Sequence, residues 1–233
     1  MQISFDPPRC YALIPCAGVG SRSGAAGPKQ YEAVAGQSLV SHTLAAFQAV
    51  TELAGTLVVL SPDDTRFEQH AQHSASWVAR VGGASRAETV RAGLDALQAL
   101  GAQPHDWVLV HDAARCLIRP EWIRQLLAQC HDDEVGGLLA VPLPDTLKAS
   151  VPGQACVAAT LPRQDKWLAQ TPQMFRWGLL RLALQDLDEQ ITDEASAVER
   201  LGHQPRLVPC SIENFKVTYP QDFLLAERLL ATR

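Results

Sequence analysis

The stretch Leu13-Ile14-Pro15-Cys16-Ala17-Gly18-Val19-Gly20-Ser21-Arg22-Ser23-Gly24-Ala25-Ala26-Gly27-Pro28-Lys29-Gln30 decides how this chain is read. An apolar strand, Tyr11 to Ile14, runs into a long loop of small residues that carries two cations, Arg22 and Lys29. Glycine and alanine leave backbone N–H groups bare, so a phosphate chain can lie against them. The two cations supply charge that can follow negative oxygens through a reaction. The loop reads as a cradle for a triphosphate. A flexible Gly/Ala connector would explain the glycines but not the two cations held among them.

Two better-known glycine loops do not fit. A P-loop places a hydroxyl straight after its lysine, whereas here Pro28 precedes Lys29 and Gln30 follows it. A dinucleotide fingerprint needs a third glycine and an acid about 20 residues on. Here the third position is Ser23, and the next convincing strand, Thr56 to Leu60, meets its first acid only at Asp63.

Working outward, apolar runs at Tyr11–Ile14, Thr56–Leu60, Trp77–Val81, Trp107–Val110 and Leu138–Val141 predict strands covered on both faces. Helical patterns separate them. Leu39, Thr43, Phe47 and Val50 recur at helical spacing, and Ser85-Arg86-Ala87-Glu88 is a capping box ahead of Val90, Leu94 and Leu97. Ser61-Pro62-Asp63-Asp64 reads as a cap, a first-turn proline and first-turn acids. This alternation predicts an α/β fold: a doubly wound, mostly parallel sheet with helices on both sides. Ligands then bind beyond the carboxyl ends of the strands. The cradle, Gly82-Gly83 and His111-Asp112 all fall there and are expected to form one site.

From Leu143 to about Ala169 the alternation lapses into short β-prone pieces broken by prolines. A structureless insert of that length is improbable in a compact domain unless it has a job, although a disordered surface loop would also read this way. Helices are expected again at Trp177–Leu187 and Asp193–Leu201, the latter started by Thr192 as cap and closed by Gly202. Two readings are open for Asp112. A carboxylate at a strand's end beside a triphosphate loop suits Mg²⁺, directly or through water, and it equally suits a cap for the next turn.

Composition bounds the function. The 233 residues are 19% charged and 47% apolar with a net charge of −5. That is a globular balance without the clustered basic face of a nucleic-acid binder. Six scattered cysteines form no Cys-x-x-Cys pair and suit a reducing cytoplasm. No apolar run is long enough to span a bilayer, and the N-terminus lacks a signal-peptide layout.

The run Pro15 to Gln30, closed by Pro28-Lys29-Gln30-Tyr31, resembles the nucleotide-binding signature of the 2-C-methyl-D-erythritol 4-phosphate cytidylyltransferases. Gly82-Gly83-x-x-Arg86, Val110-His111-Asp112-Ala113-Ala114-Arg115, Thr171-Pro172-Gln173 and Ile191-Thr192-Asp193-Glu194-Ala195-Ser196 follow in the family's order. Asn214-Phe215-Lys216-Val217-Thr218 completes the set, so the resemblance runs from about Tyr11 to Leu230.

The resemblance implies a Rossmann-like nucleotidyltransferase over residues 1–233. It implies that the insert, residues 143–169, is a β-arm clasping the partner of a homodimer. Arg22 and Lys29 would be catalytic. Pro15, Cys16, Ala17, Gly18 and Gly20 would hold the nucleotide, with Gly82, Gly83, Thr89 and Lys216 opposite them. Asp112 and Arg115 would face the second substrate together with Thr171, Thr192 and Asp193, while Thr146 and Arg163 reach across from the partner subunit. His111 is expected to be structural. Cys16, Ser23, Ala84, Thr89 and Cys116 depart from the family's usual residues without touching the expected cations.

The implied reaction joins CTP and 2-C-methyl-D-erythritol 4-phosphate with loss of pyrophosphate, aided by Mg²⁺ or another divalent cation, in non-mevalonate isoprenoid synthesis. A phosphate monoester is already largely a dianion at neutral pH, so no general base is needed. The difficulty is charge repulsion, which cations relieve. A cytidylyltransferase for another polyol phosphate such as ribitol 5-phosphate, an enzyme using UTP or GTP, and a silent nucleotide-binding regulator are the alternatives.

Overall fold

The computed structural model describes residues 7–18, 27–71, 75–188 and 191–233. Arg22 and Gly20, both expected at the site, lie outside the described residues. Strand β1 (Cys10–Pro15) comes first, followed after the loop by a 3₁₀ turn at Lys29–Tyr31 and a ribbon of β2 (Ala33–Val34) and β3 (Gln37–Ser38). Next come α1 (Leu39–Gln48), β4 (Gly55–Val59), the single turn α2 (Phe67–His70), β5 (Trp77–Ala79) and α3 (Arg86–Ala99). After β6 (Trp107–Val110), α4 (Pro120–Cys130) and β7 (Gly136–Pro142), a hairpin of β8 (Leu147–Ser150) and β9 (Val157–Leu161) projects. The chain ends through β10 (Trp167–Arg176), α5 (Trp177–Ala183), α6 (Glu194–Glu199), β11 (Arg206–Pro209) and α7 (Pro220–Leu230).

Among the described residues, the central sheet has seven strands in the order β11-β7-β10-β6-β1-β4-β5. Six run parallel, and β10 runs against its neighbours β6 and β7. The consecutive apolar residues of β1 are explained by burial on both faces. Ala12 and Ile14 pack with Leu44 and Phe47 of α1, while Tyr11 and Leu13 pack with Val90, Leu94 and Leu97 of α3. Because strand side chains alternate, each face has its own core. A third cluster, with Leu39, Leu117, Val217 and Ala226, fixes the C-terminal segment beside the site. No helix among the described residues is long and apolar enough to cross a membrane.

The structure corrects five local expectations. Strand β5 spans Trp77–Ala79, not Trp77–Val81, and as the sheet's edge it is partly exposed rather than covered on both faces. Strand β10 occupies Trp167–Arg176, so the last residues of the expected arm, Trp167–Ala169, pair with Pro142–Ala140 in the central sheet. Pro172 and the polar Gln170, Thr171 and Gln173 hid this strand, because an interior proline argues against a central strand. Pro172 follows a cis bond and sits where the register shifts between Ala169 and Gln173. Ser61 caps no helix. Residues 62–63 form a turn, and the Asp64 carboxylate instead accepts from the backbone N–H groups of Arg66 and Phe67, at 3.0 Å each, ahead of α2. Asp193, not Thr192, caps α6, its carboxylate accepting from the Ser196 N–H at 2.9 Å. Helix α5 stops at Ala183, short of Leu187.

Candidate active site

The carboxyl ends of β1 and β6, the start of α3 and the segment around Lys216 enclose a cavity of about 460 Å³. Its floor is backbone. Cys16 N–H donates to Val59 O at 2.8 Å, and the Gln30 side chain donates to Cys16 O at 3.0 Å, tying the far end of the loop to its start. Opposite, a Cβ on Gly82 would collide with Ala17 and with the Leu60 carbonyl, so only glycine permits this approach. Gly83 N–H donates to the Thr89 hydroxyl at 3.2 Å, and that hydroxyl donates to Ser85 O at 2.9 Å. The capping box is formed as expected, with Glu88 N–H on the Ser85 hydroxyl and Ser85 N–H on the Glu88 carboxylate. A Cβ on Gly18 would meet no atom of the described residues within 4 Å, and Gly18 lines the cavity.

Among the described residues, Lys29, Arg86 and Lys216 line this cavity with a single carboxylate, Asp112. Lys29 Nζ donates to Val217 O at 2.8 Å. Asp112 Oδ1 accepts from Arg86 Nε at 2.8 Å, Oδ2 pairs with Lys216 Nζ at 2.8 Å, and Arg115 Nε stands 3.8 Å away. Burial alone would raise the Asp112 pKa. Arg86 first, then Lys216 and Arg115, outweigh it and hold the carboxyl well below its usual range. Arg86 also grips both oxygens of buried Glu194, at 2.6 and 3.0 Å. Burial pushes the Glu194 carboxyl up, and Arg86 only partly offsets that.

The same fold recurs in known proteins. The family model IspD, 2-C-methyl-D-erythritol 4-phosphate cytidylyltransferase, matches residues 10–232. The chain belongs to this cytidylyltransferase family. A protein of Burkholderia multivorans named as such a cytidylyltransferase is 56% identical over 228 residues, covering 96% of this chain and 97% of that one. The bifunctional enzyme IspD/IspF of Albidiferax ferrireducens is 61% identical over 231 residues, 99% of this chain, which spans only 55% of that protein's length. A crystal structure of 4-diphosphocytidyl-2C-methyl-D-erythritol synthase superposes with a TM-score of 0.84 at 40% identity, covering 96% of this chain and 99% of that one. The chain is therefore a nucleotidyltransferase.

For a cytidylyltransferase, the cavity gathers most residues expected at the nucleotide. Pro15, Cys16, Ala17, Gly18, Lys29, Gly83, Thr89, Asp112 and Lys216 all line it, and Gly82 stands directly behind. Burial pushes the Cys16 thiol far up, so it offers no thiolate. Thr192 and Asp193 line a second cavity, about 400 Å³, that shares Ser85 and Arg86 with the first. Thr171 and Arg115 lie behind the site. The Thr171 hydroxyl accepts from Asp112 N–H at 3.1 Å and bonds His111 Nδ1 at 3.0 Å, while Arg115 donates to Asn214 O at 2.9 Å. Thr146 and Arg163 sit at the base of the hairpin and line neither cavity. Arg86 and Glu194 went unassigned from sequence. Each stands in a block that resembles the family's and reads locally as a helix start, but nothing in sequence pairs residues 108 positions apart.

His111 is fully buried against Phe47, and burial pulls its pKa down to about 3, so it stays neutral. The unfolded chain binds this proton below about pH 6.5 and the folded chain does not, so the contribution to stability is present above 6.5 and lost as pH falls towards 3. His111→Gln is expected to flatten the acid limb of stability by up to about 1.4 kcal/mol per pH unit between pH 6.5 and 4.5, read by urea unfolding. Turnover should fall by much less than the roughly 10²–10⁴ that loss of a general base brings. A folded His111→Gln protein with base-like losses contradicts this reading.

Proposed function

We propose that this chain transfers the cytidylyl group of CTP to 2-C-methyl-D-erythritol 4-phosphate, releasing pyrophosphate, as a step of non-mevalonate isoprenoid synthesis. The observation that carries the proposal is the cavity itself, where the described residues bring glycine backbone, three cations and one ionised carboxylate to the strand ends. The names of the relatives favour the erythritol phosphate acceptor over ribitol 5-phosphate. An oxygen of the acceptor phosphate forms the new bond to the α-phosphorus. The bond from that phosphorus to the bridging oxygen breaks, and pyrophosphate leaves with the electron pair. No proton has to be removed from a dianionic acceptor, which is why a neutral, buried His111 is compatible with the reaction.

Lys29, Lys216 and Arg22 neutralise the triphosphate and the leaving group, with Arg22 assigned from sequence alone. Asp112 is the group to hold a divalent cation. Mg²⁺ takes one or two carboxylates and completes its shell with substrate phosphates and water. The cavity offers one ionised carboxylate, and no group of three or more His, Cys, Asp or Glu among the described residues forms a cage. That donor set fits an ion arriving with the nucleotide, and when bound it would supply positive charge between the phosphates. The second cavity suits the acceptor's hydroxyls at Thr192 and Asp193. A phosphate contact from Arg115 would require its guanidinium to leave the Asn214 carbonyl.

The hairpin supports a homodimer. Among the described residues it forms a two-stranded sheet of its own, every residue of β9 is exposed, and Val157 and Leu161 present apolar surface. Exposed strands and apolar residues of this kind are covered by a two-fold partner. Thr146 and Arg163 at the hairpin's base would then reach the neighbouring site. All six cysteines are free thiols, which supports a cytoplasmic location.

Pyrophosphate release assayed over a panel of polyol phosphates is expected with CTP and 2-C-methyl-D-erythritol 4-phosphate, with UTP clearly poorer. Lys29→Ala should lower kcat by roughly 10²–10³, the scale of losing a preorganised electrostatic donor. Equal use of CTP and UTP, or a preference for ribitol 5-phosphate, contradicts the assignment. The shared site is checked by subunit mixing. Lys29→Ala and Arg163→Ala are each expected to be nearly inactive alone, and equal mixtures should recover about a quarter of all sites, since one site of each mixed dimer carries neither defect. Demonstrated exchange without recovered activity rules out a role for Arg163 across the interface.

A further inference from the structure

Asp112 has two oxygens with unlike partners. Oδ1 is held by Arg86 Nε at 2.8 Å, and the rest of that guanidinium is locked onto Glu194 at 2.6 and 3.0 Å. Oδ2 pairs with Lys216, whose side chain is 34% exposed and lines the cavity, so this partner can be exchanged for an arriving ligand. Glu194 has a side chain 1% exposed and is the second anchor of the fork. A buried ion pair of this kind brings little net stability over apolar side chains of the same volume. What apolar packing cannot do is dictate which carboxylate oxygen is free. A guanidinium facing a lone carboxylate prefers to take both oxygens in a parallel fork. With Nη1 and Nη2 held on Glu194, the guanidinium is fixed in a pose that meets Asp112 through Nε alone, on Oδ1.

We propose that Glu194 is a positioning residue for Asp112. It holds Arg86 to a single contact on Oδ1 and so keeps Oδ2 available to the divalent cation and triphosphate. The inference rests on the role given to Asp112 under the proposed function. Its experiment is therefore built on binding without the acceptor, which stays informative if the acceptor assignment fails.

The measurement is the affinity of the enzyme–CTP complex for Mn²⁺, read from the free-ion electron paramagnetic resonance signal, beside kcat and melting temperature. Glu194→Gln is expected to weaken Mn²⁺ binding and lower kcat about 10–100-fold each, the usual consequence of removing a group that orients a metal ligand. Arg86→Met/Glu194→Met removes both buried charges together and is expected to melt near the wild type while its Mn²⁺ affinity stays weak, because no guanidinium then fixes Oδ1 and orients Asp112. That separation of stability from binding distinguishes positioning from a purely structural pair. Wild-type Mn²⁺ affinity, within about threefold, in either folded variant overturns the proposal, and so does a wild-type CTP complex that holds no Mn²⁺. A wild-type enzyme that binds Mn²⁺ with CTP but makes no product with the erythritol phosphate fails the functional assignment instead.

Discussion

A carboxylate buried among cations is the constraint on which this structure turns. Asp112 is 8% exposed, and burial by itself would drive it towards the neutral acid. Arg86, Lys216 and Arg115 reverse that balance and keep it ionised. Each of those cations comes from a different part of the chain: the first residue of α3, the segment before α7, and the turn after β6. The carboxylate therefore closes the tertiary structure around the site while serving as its negative pole. Asn214 extends the closure from below, its side chain donating to Gln170 at 3.0 Å and to Thr171 O at 2.9 Å.

Placement of these groups follows from the sheet. Parallel strands end on one side, so the loops after β1 and β6 and the start of α3 meet there without further instruction. The reversed strand β10 contributes differently. It runs through the site side of the sheet and delivers Thr171 beneath Asp112, Gln173 onto Asp193 at 2.8 Å, and Arg176 back to the far end. Gln173 also accepts from the Ala195 N–H at 2.7 Å, so one side chain fixes the start of α6 and with it Glu194. A second layer of hydrogen bonds thus adds to the mutual attraction of the cations and anions around the cavity.

The legible part of the sequence was the part with a local cause. Strands β1, β4, β6 and β7 announce themselves because double-sided burial demands consecutive apolar residues, whereas β5 is a partly exposed edge strand. The capping box at Ser85 is also local and was readable, whereas the close approach of Gly82 to Ala17 and Leu60 joins distant parts of the chain. What escaped was set by distant partners. β10 carries a proline and three polar residues because its middle serves the site, and the side chains that accept it there are far away in sequence. The Arg86–Glu194 pair joins two helix starts whose sequences are each fully explained by helix chemistry. Thr171 was expected at the substrate and Arg115 at either Asp112 or a phosphate, and the folded chain shows the Thr171 hydroxyl engaged by His111 and Asp112 while Arg115 donates to Asn214 O.

The central claim is that charge neutralisation, without a protein base, suffices for this reaction. It is tested most directly by the pH dependence of kcat/KM measured with two acceptors, the natural phosphate monoester and its methylene phosphonate analogue, whose second ionisation lies at higher pH. If the acceptor's own dianion is the nucleophile, the acid limb moves to higher pH with the phosphonate, following the acceptor's pKa. An acid limb that stays at the same pH for both acceptors would assign the titration to an enzyme group and contradict the account.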